Sequence, residues 1–251
     1  MSFTGKSAFG TDLARFQGQK VPFDDLVDKG CRFFYTKATH GELVVDPTFW
    51  THWADLAELL ARRVQRLRRA PYMWLDPGDA VLQVEALARV LDRVQWDPSA
   101  DWQPAIDFED PRFTPDMARR SIEMAVSRGI TLFGKVTIYT GRWFWRENVG
   151  DSDSELCASC ALWFAQYPKP WKGLPTDYVD AVRALPPPAE RPLPWQIRNI
   201  DPIVYQFDGN GGLKLPNGVD ADFDCLRDDC DLETLVVRRT PTTLPAPPDV
   251  A

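Results

Sequence analysis

The sequence has no long apolar run. No uninterrupted apolar stretch among its 251 residues is long enough to cross a bilayer, and residues 1–10 contain no apolar segment of the kind found in a secretory signal peptide. We therefore expect no membrane insertion and no signal peptide. We expect synthesis in the cytoplasm, followed by release on lysis or by an export route that needs no signal.

Histidine is scarce, and two catalytic motifs are missing. His40 and His52 are the only histidines, and there is no Gly-x-Ser-x-Gly turn, so a serine triad has little support. No glycine-rich loop of the phosphate-binding kind follows a predicted strand, which argues against nucleotide-dependent chemistry. We expect no cofactor.

An excess of positive charge is absent too. The formal net charge is -7, whereas proteins that bind nucleic acid hold its phosphates with clustered lysine and arginine. The main basic cluster, five arginines within residues 62–69, is interpreted as the solvated face of a helix. We therefore expect no nucleic-acid partner.

Five cysteines cannot all pair within one chain. Cys157 and Cys160 have the CxxC spacing, and Cys225 is followed closely by Cys230. Neither pair has histidines nearby that would complete a zinc site. We expect free thiols or at most local disulfides, and no metal.

The chain does contain β-branched or aromatic runs that alternate with amphipathic stretches, the pattern of βαβ units around a parallel sheet. Eight runs are predicted to be strands: residues 9–13, 32–37, 71–75, 104–108, 135–140, 162–167, 203–207 and 219–223. Helices are predicted over residues 49–69 and 80–94, and between Thr114 and Gly129. The predicted fold class is α/β, a single TIM-like β/α barrel whose helical ring is incomplete in the C-terminal third.

We expect one catalytic barrel over residues 1–239. Within it, residues 168–202 carry several prolines that prevent a continuous helix or central strand, so we predict a surface excursion that walls one end of a groove. Residues 208–212, Asp-Gly-Asn-Gly-Gly, are predicted to form a tight turn. Residues 240–251 are rich in proline and threonine and are predicted to be a disordered tail.

An acid pair ends the fourth predicted strand. Side chains alternate along a strand, so Asp107 and Glu109 share one face while Ile106 and Phe108 share the other. The apolar pair is expected to face the helices, and the acids to face the barrel axis at the end where barrel enzymes place their active sites.

Two carboxyl groups in this position suit glycoside hydrolysis, which needs one protonated acid and a second group that stabilises developing positive charge. We expect Glu109 to hold a proton while Asp107 stays ionised, because like charges push the two pKa values apart. An ordinary acidic strand end, exposed to solvent, is the alternative interpretation. The pair by itself favours neither.

A series of short motifs sets the pair in context. In chain order they are Gly10-Thr11-Asp12, Gln17-Gly18, Lys37-Ala38-Thr39 with Gly41, Asp46-Pro47 with Phe49, Pro71-Tyr72, Asp107-Phe108-Glu109, Ile138-Tyr139-Thr140-Gly141, Leu162-Trp163 with Ala165 and Tyr167, Tyr205-Gln206-Phe207 and Gly218-Val219-Asp220. In this order and across nearly the whole predicted barrel, the chain resembles glycoside hydrolase family 25, the muramidases of phage and bacterial cell-wall lysins.

The resemblance implies roles for individual residues. Glu109 would be the general acid and base, and Asp107 would position the substrate's N-acetyl group or stabilise the intermediate derived from it. Asp12 and Asp220 would complete an acidic ring. The residues implied to bind substrate are Tyr72, Trp74, Tyr139, Trp163 and Gln206. Core packing is the alternative role for each aromatic ring, and it is weighed least heavily for Trp163.

Three positions depart from the family pattern. His40 stands where a Glu is usual, Met73 where a His is usual, and Asp222 where an Asn is usual after Asp220. The set of Asp12, Asp107, Glu109 and Asp220 is left intact, so these changes bear on substrate preference more than on reaction type.

The resemblance implies a retaining, monomeric muramidase that cuts the β-1,4 bond between N-acetylmuramic acid and N-acetylglucosamine in bacterial peptidoglycan. Retention would use the substrate's acetamido oxygen or, alternatively, a carboxylate nucleophile. A chitinase-like enzyme is a rival, although the further Asp usual in that family is replaced by Ala105. A wall-binding or phage-particle module without turnover is the second rival.

Overall fold

The computed structural model describes residues 8–167, 190–209 and 213–237. Within these residues, nine strands form one sheet. In chain order they are β1 Phe9–Leu13, β2 Cys31–His40, β3 Val44–Val45, β4 Arg68–Trp74, β5 Ala105–Asp107, β6 Thr137–Gly141, β7 Ala161–Ala165, β8 Val204–Asp208 and β9 Asp222–Leu226. Most of the predicted excursion, the centre of the predicted turn and the predicted tail lie outside the described residues.

Strand β1 closes the sheet into a barrel, because it pairs with β2 on one side and with β9 on the other. The pairs from β1 through β2, β4, β5, β6, β7 and β8 are parallel. Strand β3 pairs only with β2 and adds a short hairpin outside the ring. The predicted α/β barrel of eight strands is confirmed, and each predicted run overlaps one of its strands.

Seven α-helices accompany the strands in the described part of the chain. They are α1 Phe23–Asp28, α2 Phe49–Arg62, α3 Ala80–Arg93, α4 Pro115–Phe133, α5 Arg142–Asn148, α6 Glu155–Ala158 and α7 Leu193–Ile197. The long helices bury one face each. In α3, for example, Val84, Leu87 and Leu91 recur at helical spacing and are buried, and the Asp79 side chain caps the first turn.

Two apolar layers lie on either side of the barrel wall. The outer layer, between strands and helices, includes Phe34, Ile106 and Phe164. The inner layer includes Trp102, whose indole Nε1 donates to the Leu232 carbonyl oxygen at 2.7 Å. Because Trp102 precedes β5, this packing closes the end at which the parallel strands begin. The opposite end, where they finish, is hereafter the barrel mouth.

Strand β9 differs from the prediction of an all-parallel sheet. It is antiparallel to both β8 and β1. The described residues between β8 and β9 contain no helix, and a connection without a helical crossover joins antiparallel strands. Strand β9 therefore starts at the barrel mouth, where all the other strands of the ring finish.

The helix predicted over residues 49–69 ends at Arg62, which is a correction to the prediction. Arg68 and Arg69 belong to β4, and Val64, which lies within the predicted helix, is fully exposed. Residues far along the chain contact this segment: residues 68 and 69 pair with β2 in the sheet, and distant acids pair with the arginines of the basic cluster. The ion pairs are Arg62 and Arg63 with Asp24, Arg68 with Glu233, and Arg69 with Asp101.

Helix α4 continues through Gly129, where the sequence predicted its end, to Phe133. It stops instead at Gly134, which has a φ of 81°. A Cβ atom at position 129 would lie 2.7 Å from Val136 Cγ1. Glycine is therefore required at 129 for close helix packing rather than for a helix stop.

No helix in the described ranges is long and apolar enough to span a membrane. All five cysteines are free thiols, and Cys230 is the least buried of them. Burial raises the pKa of Cys157 to about 12 and that of Cys160 to about 11. The CxxC pair therefore consists of protonated, unreactive thiols at neutral pH.

Candidate active site

Strand β5 carries the acid pair to the barrel mouth. Ala105 lies in the inner layer, whereas Ile106 and Phe108 lie in the outer one. Asp107 and Glu109, on the same face as Ala105, line one cavity. The predicted arrangement is confirmed: two acids two residues apart point together into the mouth of the barrel.

The cavity has a volume of about 130 Å³. Four carboxyl side chains line it: Asp12 from β1, Asp107 and Glu109 from the end of β5, and Asp222 from the start of β9. Lys37 lies beside them, and burial lowers its pKa while attraction to Asp107 opposes that change. The cavity is therefore rich in acids and holds a cation close to the pair on β5.

Gln206 orients the Asp12 carboxyl. Its Nε2 donates to Asp12 Oδ2 at 2.7 Å, and its Oε1 accepts hydrogen bonds of 2.7 Å from the hydroxyls of Tyr139 and Tyr167. Because both hydroxyls donate to the amide oxygen, the amide nitrogen is left facing the acid. Gln206 lines the cavity as predicted. Tyr167, which was not predicted as a site residue, supports Gln206 through its hydrogen bond.

Three predicted aromatic residues line the cavity and also fill the barrel. Tyr72, Tyr139 and Trp163 are 6%, 5% and 1% exposed. The Trp163 ring stacks on Tyr35 with a centroid distance of 4.0 Å and an interplanar angle of 19°. Core packing was weighed least for Trp163, yet it is the most buried of the three. Each ring therefore belongs to both the core and the cavity wall.

Trp74 lies at the rim of the cavity. Its indole Nε1 donates to Asp110 Oδ2 at 3.1 Å, and its ring stacks with His40 at a centroid distance of 5.6 Å. Lys37 Nζ lies 4.6 Å from the same ring centroid. These contacts hold the indole in place at the border of the cavity.

The structure places Asp222 in the cavity instead of Asp220, and this corrects the sequence-based assignment. The Asp220 side chain is 63% exposed and pairs with Lys214. Strand β9 begins only at Asp222, whose register partner is Asp12. The predicted strand started too early, so the acid of the ring lies two residues further along the chain.

Burial raises the pKa of Glu109 to about 7, and the nearby Asp12 adds to the effect. Burial raises the pKa of Asp107 well above its ordinary value, with repulsion from Glu109 adding and Lys37 opposing. This differs from the expectation that Asp107 stays ionised. A pKa near 7 allows Glu109 both to give and to take a proton at neutral pH.

Sequence reasoning missed Asp224. This side chain is fully buried, and its Oδ1 accepts a hydrogen bond of 2.7 Å from Trp163 Nε1, whereas its Oδ2 has no hydrogen-bond partner among the described residues. Burial raises the pKa of Asp224 well above its ordinary value, and repulsion from Asp12 adds to the effect. We therefore expect Asp224 to hold a proton in the folded protein. Strand alternation was the available signal, since positions 222 and 224 share one face.

The substitution Asp224→Asn tests this protonation state. Asparagine supplies the same acceptor to Trp163 and cannot ionise. In the wild type, the raised pKa of Asp224 contributes stability that is complete below its unfolded value of 3.8 and is lost as the pH rises toward the folded value. We expect the free energy of unfolding of the variant, from urea titrations between about pH 4 and 8, to fall less with pH than that of the wild type.

The exposed helix residue Asp92, changed to Asn, is the matched control and should leave the pH dependence as it is. An Asp224→Asn protein with the wild-type pH dependence would show that Asp224 is ionised in the folded state.

A model of glycosyl hydrolases family 25 matches residues 11–180, more than half of the chain. The chain belongs to glycosyl hydrolases family 25. It is therefore a glycoside hydrolase, and the resemblance noted in the sequence is confirmed. No curated protein matches the sequence.

Solved structures share the fold of this family 25 hydrolase. A muramidase from Trichobolus zukalii is 22% identical, with a TM-score of 0.65 over 88% of this chain and 94% of that one. A family 25 lysozyme from Aspergillus fumigatus is 18% identical, with a TM-score of 0.67 over 88% and 94%. A modular autolysin from Streptococcus pneumoniae, solved with a synthetic peptidoglycan ligand, is 10% identical, with a TM-score of 0.62 over 88% and 46%.

The departures from the family pattern leave the acids of this family 25 hydrolase in place. Met73 is fully buried in the outer layer, so it faces away from the cavity. His40 lies outside the cavity, and its Nε2 is 3.1 Å from Asp76 Oδ1. Neither residue therefore removes a carboxyl group from the cavity wall.

Proposed function

We propose that the chain is a retaining N-acetylmuramidase that cuts the β-1,4 bond between N-acetylmuramic acid and N-acetylglucosamine of peptidoglycan. Glu109 is the general acid and base, and Asp107 assists the acetamido group of the sugar. Asp12 and Asp222 shape the charge around this pair. The family assignment supports glycoside hydrolysis, and the muramidase among the similar structures supports this substrate.

The proposal rests mainly on one observation, the missing hydrogen-bond partner of the Asp107 carboxyl. Its Oδ1 is buried and has no hydrogen-bond partner among the described residues. A buried acceptor without a donor is costly, unless a ligand supplies the donor. The N–H of a substrate acetamido group would supply it, and this contact would hold the acetamido oxygen against the anomeric carbon.

The proposed reaction has two steps. Glu109 gives its proton to the glycosidic oxygen while the acetamido oxygen attacks the anomeric carbon, so that the leaving sugar departs as an alcohol and an oxazolinium ring forms. The Asp107 carboxyl releases its proton to water as the positive charge develops, and the resulting carboxylate accepts a hydrogen bond from the N–H of the ring and stabilises it. Glu109 then removes a proton from a water molecule that opens the ring, and the two inversions retain the configuration.

The proposal also covers the oligomeric state of the enzyme and the place where it acts. We propose that it acts as a monomer, because the side chains used in the proposed reaction, Glu109 and Asp107, and the neighbouring Asp12 all lie in one barrel. Residues 1–239 would form the catalytic barrel, and the enzyme would reach the cell wall after release from the cell that makes it. Sedimentation of the purified protein at one chain's mass, 28.5 kDa, would agree with the monomer, and a dimer would contradict it.

Digestion of purified peptidoglycan beside chitin tests the function. We expect the wild-type protein to clear a peptidoglycan suspension and to release fragments whose new reducing ends are N-acetylmuramic acid, with chitin cut at least about tenfold more slowly. Borohydride reduction followed by mass spectrometry identifies the reducing sugar. NMR of the first product identifies the anomer, and a β product supports retention.

Other results would favour the rival functions. Reducing ends of N-acetylglucosamine, or faster cutting of chitin, would indicate a different glycosidase. Binding of peptidoglycan without any release of fragments would indicate a wall-binding module. An α product would exclude retention while leaving hydrolysis intact.

A further inference from the structure

A second pocket adjoins the catalytic cavity. Its volume is about 250 Å³, nearly twice the 130 Å³ of the cavity. The two have Phe16, Lys37 and Trp74 in common, and the second pocket extends from these residues to His40 and Val44. A polymer that enters the cavity can therefore continue into the second pocket without leaving the protein surface.

The walls of the second pocket suit a sugar ring. Phe16 is 73% exposed and Val44 is 51% exposed, although both are apolar. Trp74 and His40 contribute a stacked pair of rings to the same pocket. Sugar rings present C–H faces that pack on aromatic rings, while their hydroxyls stay at the edge in water. The exposed apolar surface is therefore a suitable platform for one saccharide unit.

Arg15 gives the second pocket a positive charge that no acid among the described residues pairs with. It is exposed, and its guanidinium carbon lies 5.1 Å from the centroid of the Phe16 ring. Among the described residues it forms no ion pair, unlike the arginines of the basic cluster, which are held by acids. An anionic group on the ligand would complete the pair.

The acid of the same pocket, Asp46, is already engaged. Its Oδ1 accepts hydrogen bonds from the main-chain N–H and the hydroxyl of Thr48, at 2.9 and 2.6 Å. Its Oδ2 accepts from the main-chain N–H of Arg15 at 3.1 Å. Asp46 therefore fixes the backbone around the pocket and leaves the Arg15 guanidinium free for a ligand.

We propose that the second pocket is a saccharide subsite for the N-acetylglucosamine that adjoins the N-acetylmuramic acid of the cavity. Arg15, which lies over the shared Phe16 at the border of the two pockets, pairs with a carboxylate of the substituent on that N-acetylmuramic acid. The inference rests on the proposed function, because alternate sugars of peptidoglycan carry a lactyl substituent and those of chitin do not. In strands stripped of peptide the lactyl carboxylate is free. In peptide-bearing strands it is an amide, and carboxylates of the peptide take its place.

Kinetics of Arg15→Gln on three forms of soluble glycan strand test the subsite. The forms are peptide-bearing strands, peptide-stripped strands, and stripped strands whose carboxylates have been converted to methylamides. We expect KM to rise about three- to tenfold on at least one charged form, with kcat changed less than about twofold, and to stay constant on the neutral form. The charged form that responds identifies the source of the carboxylate. Arg89→Gln, which removes one charge from the outside of α3, is the matched control.

Phe16→Ala tests the saccharide platform separately and should raise KM on all three forms by about three- to tenfold. An unchanged KM for both variants, or an equal rise for Arg15→Gln on neutral strands, overturns the subsite. In that case wild-type cutting of the strands still supports the proposed function. If the wild type cuts none of the strands, the proposed function itself fails.

Discussion

The variant Glu109→Gln should lose at least about three orders of magnitude in the rate at which it clears peptidoglycan, because a general acid and base contributes 10²–10⁴-fold and the proposed mechanism uses this residue in both steps. Glutamine keeps the shape of the side chain but has no proton to transfer. The raised pKa of Glu109, about 7, indicates a carboxyl group prepared for this role. Initial rates of turbidity loss at equal enzyme concentration measure the effect.

A matched control separates chemistry from folding. Glu58→Gln makes the same change on the exposed side of α2 and should clear peptidoglycan at the wild-type rate. Both variants should unfold at about the wild-type temperature, since neither change removes an apolar contact. Equal rates for Glu109→Gln and the wild type would remove Glu109 from the mechanism.

The second large effect is expected at Asp107. Asparagine cannot carry the negative charge that stabilises the oxazolinium ring in the proposed mechanism, so Asp107→Asn should reduce kcat by about two to three orders of magnitude. Binding of the ground-state substrate should change much less, because the charge develops only as the bond breaks. We therefore expect the loss in kcat and little change in KM, measured on soluble glycan strands.

A stable analogue of the ring gives a readout that a merely structural role of Asp107 would not affect. A thiazoline derived from the substrate sugar should inhibit the wild type, and Asp107→Asn should bind it more weakly by a factor similar to the loss in kcat. The exposed Asp55, changed to Asn, should alter neither value. A variant with weakened KM, normal kcat and unchanged inhibition would assign Asp107 to ground-state binding only.

Local pattern was enough to predict the central part of the site. The alternation of Ala105, Asp107 and Glu109 with apolar neighbours is set within one strand, and period two holds wherever the strand lies in a sheet. The eight strand-like runs likewise predicted a closed barrel, because each run is a local property of the chain. These are the features that depend least on distant residues.

Contacts between residues far apart in the chain determine the features that the sequence pattern did not predict. Acids at positions 220, 222 and 224 share one face, so alternation identifies the face but not the residue at which β9 begins. That start depends on the antiparallel pairing of β9 with β1. The end of α2 depends in the same way on Asp101, which holds Arg69 in β4. The raised pKa values of Asp12 and Asp224 depend in the same way on burial between β1 and β9, which lie far apart in sequence.

The antiparallel pairing of β1 with β9 makes completion of the fold and assembly of the acids a single event. Asp12 and Asp222 come from strands that are far apart in sequence and meet only where the ring closes. Until β1 docks, Asp12 can reach neither the Gln206 amide nor the carboxyl of Asp224. A chain in which β1 and β9 have not paired therefore lacks the full set of acids. It should not cut a glycan until the ring is closed.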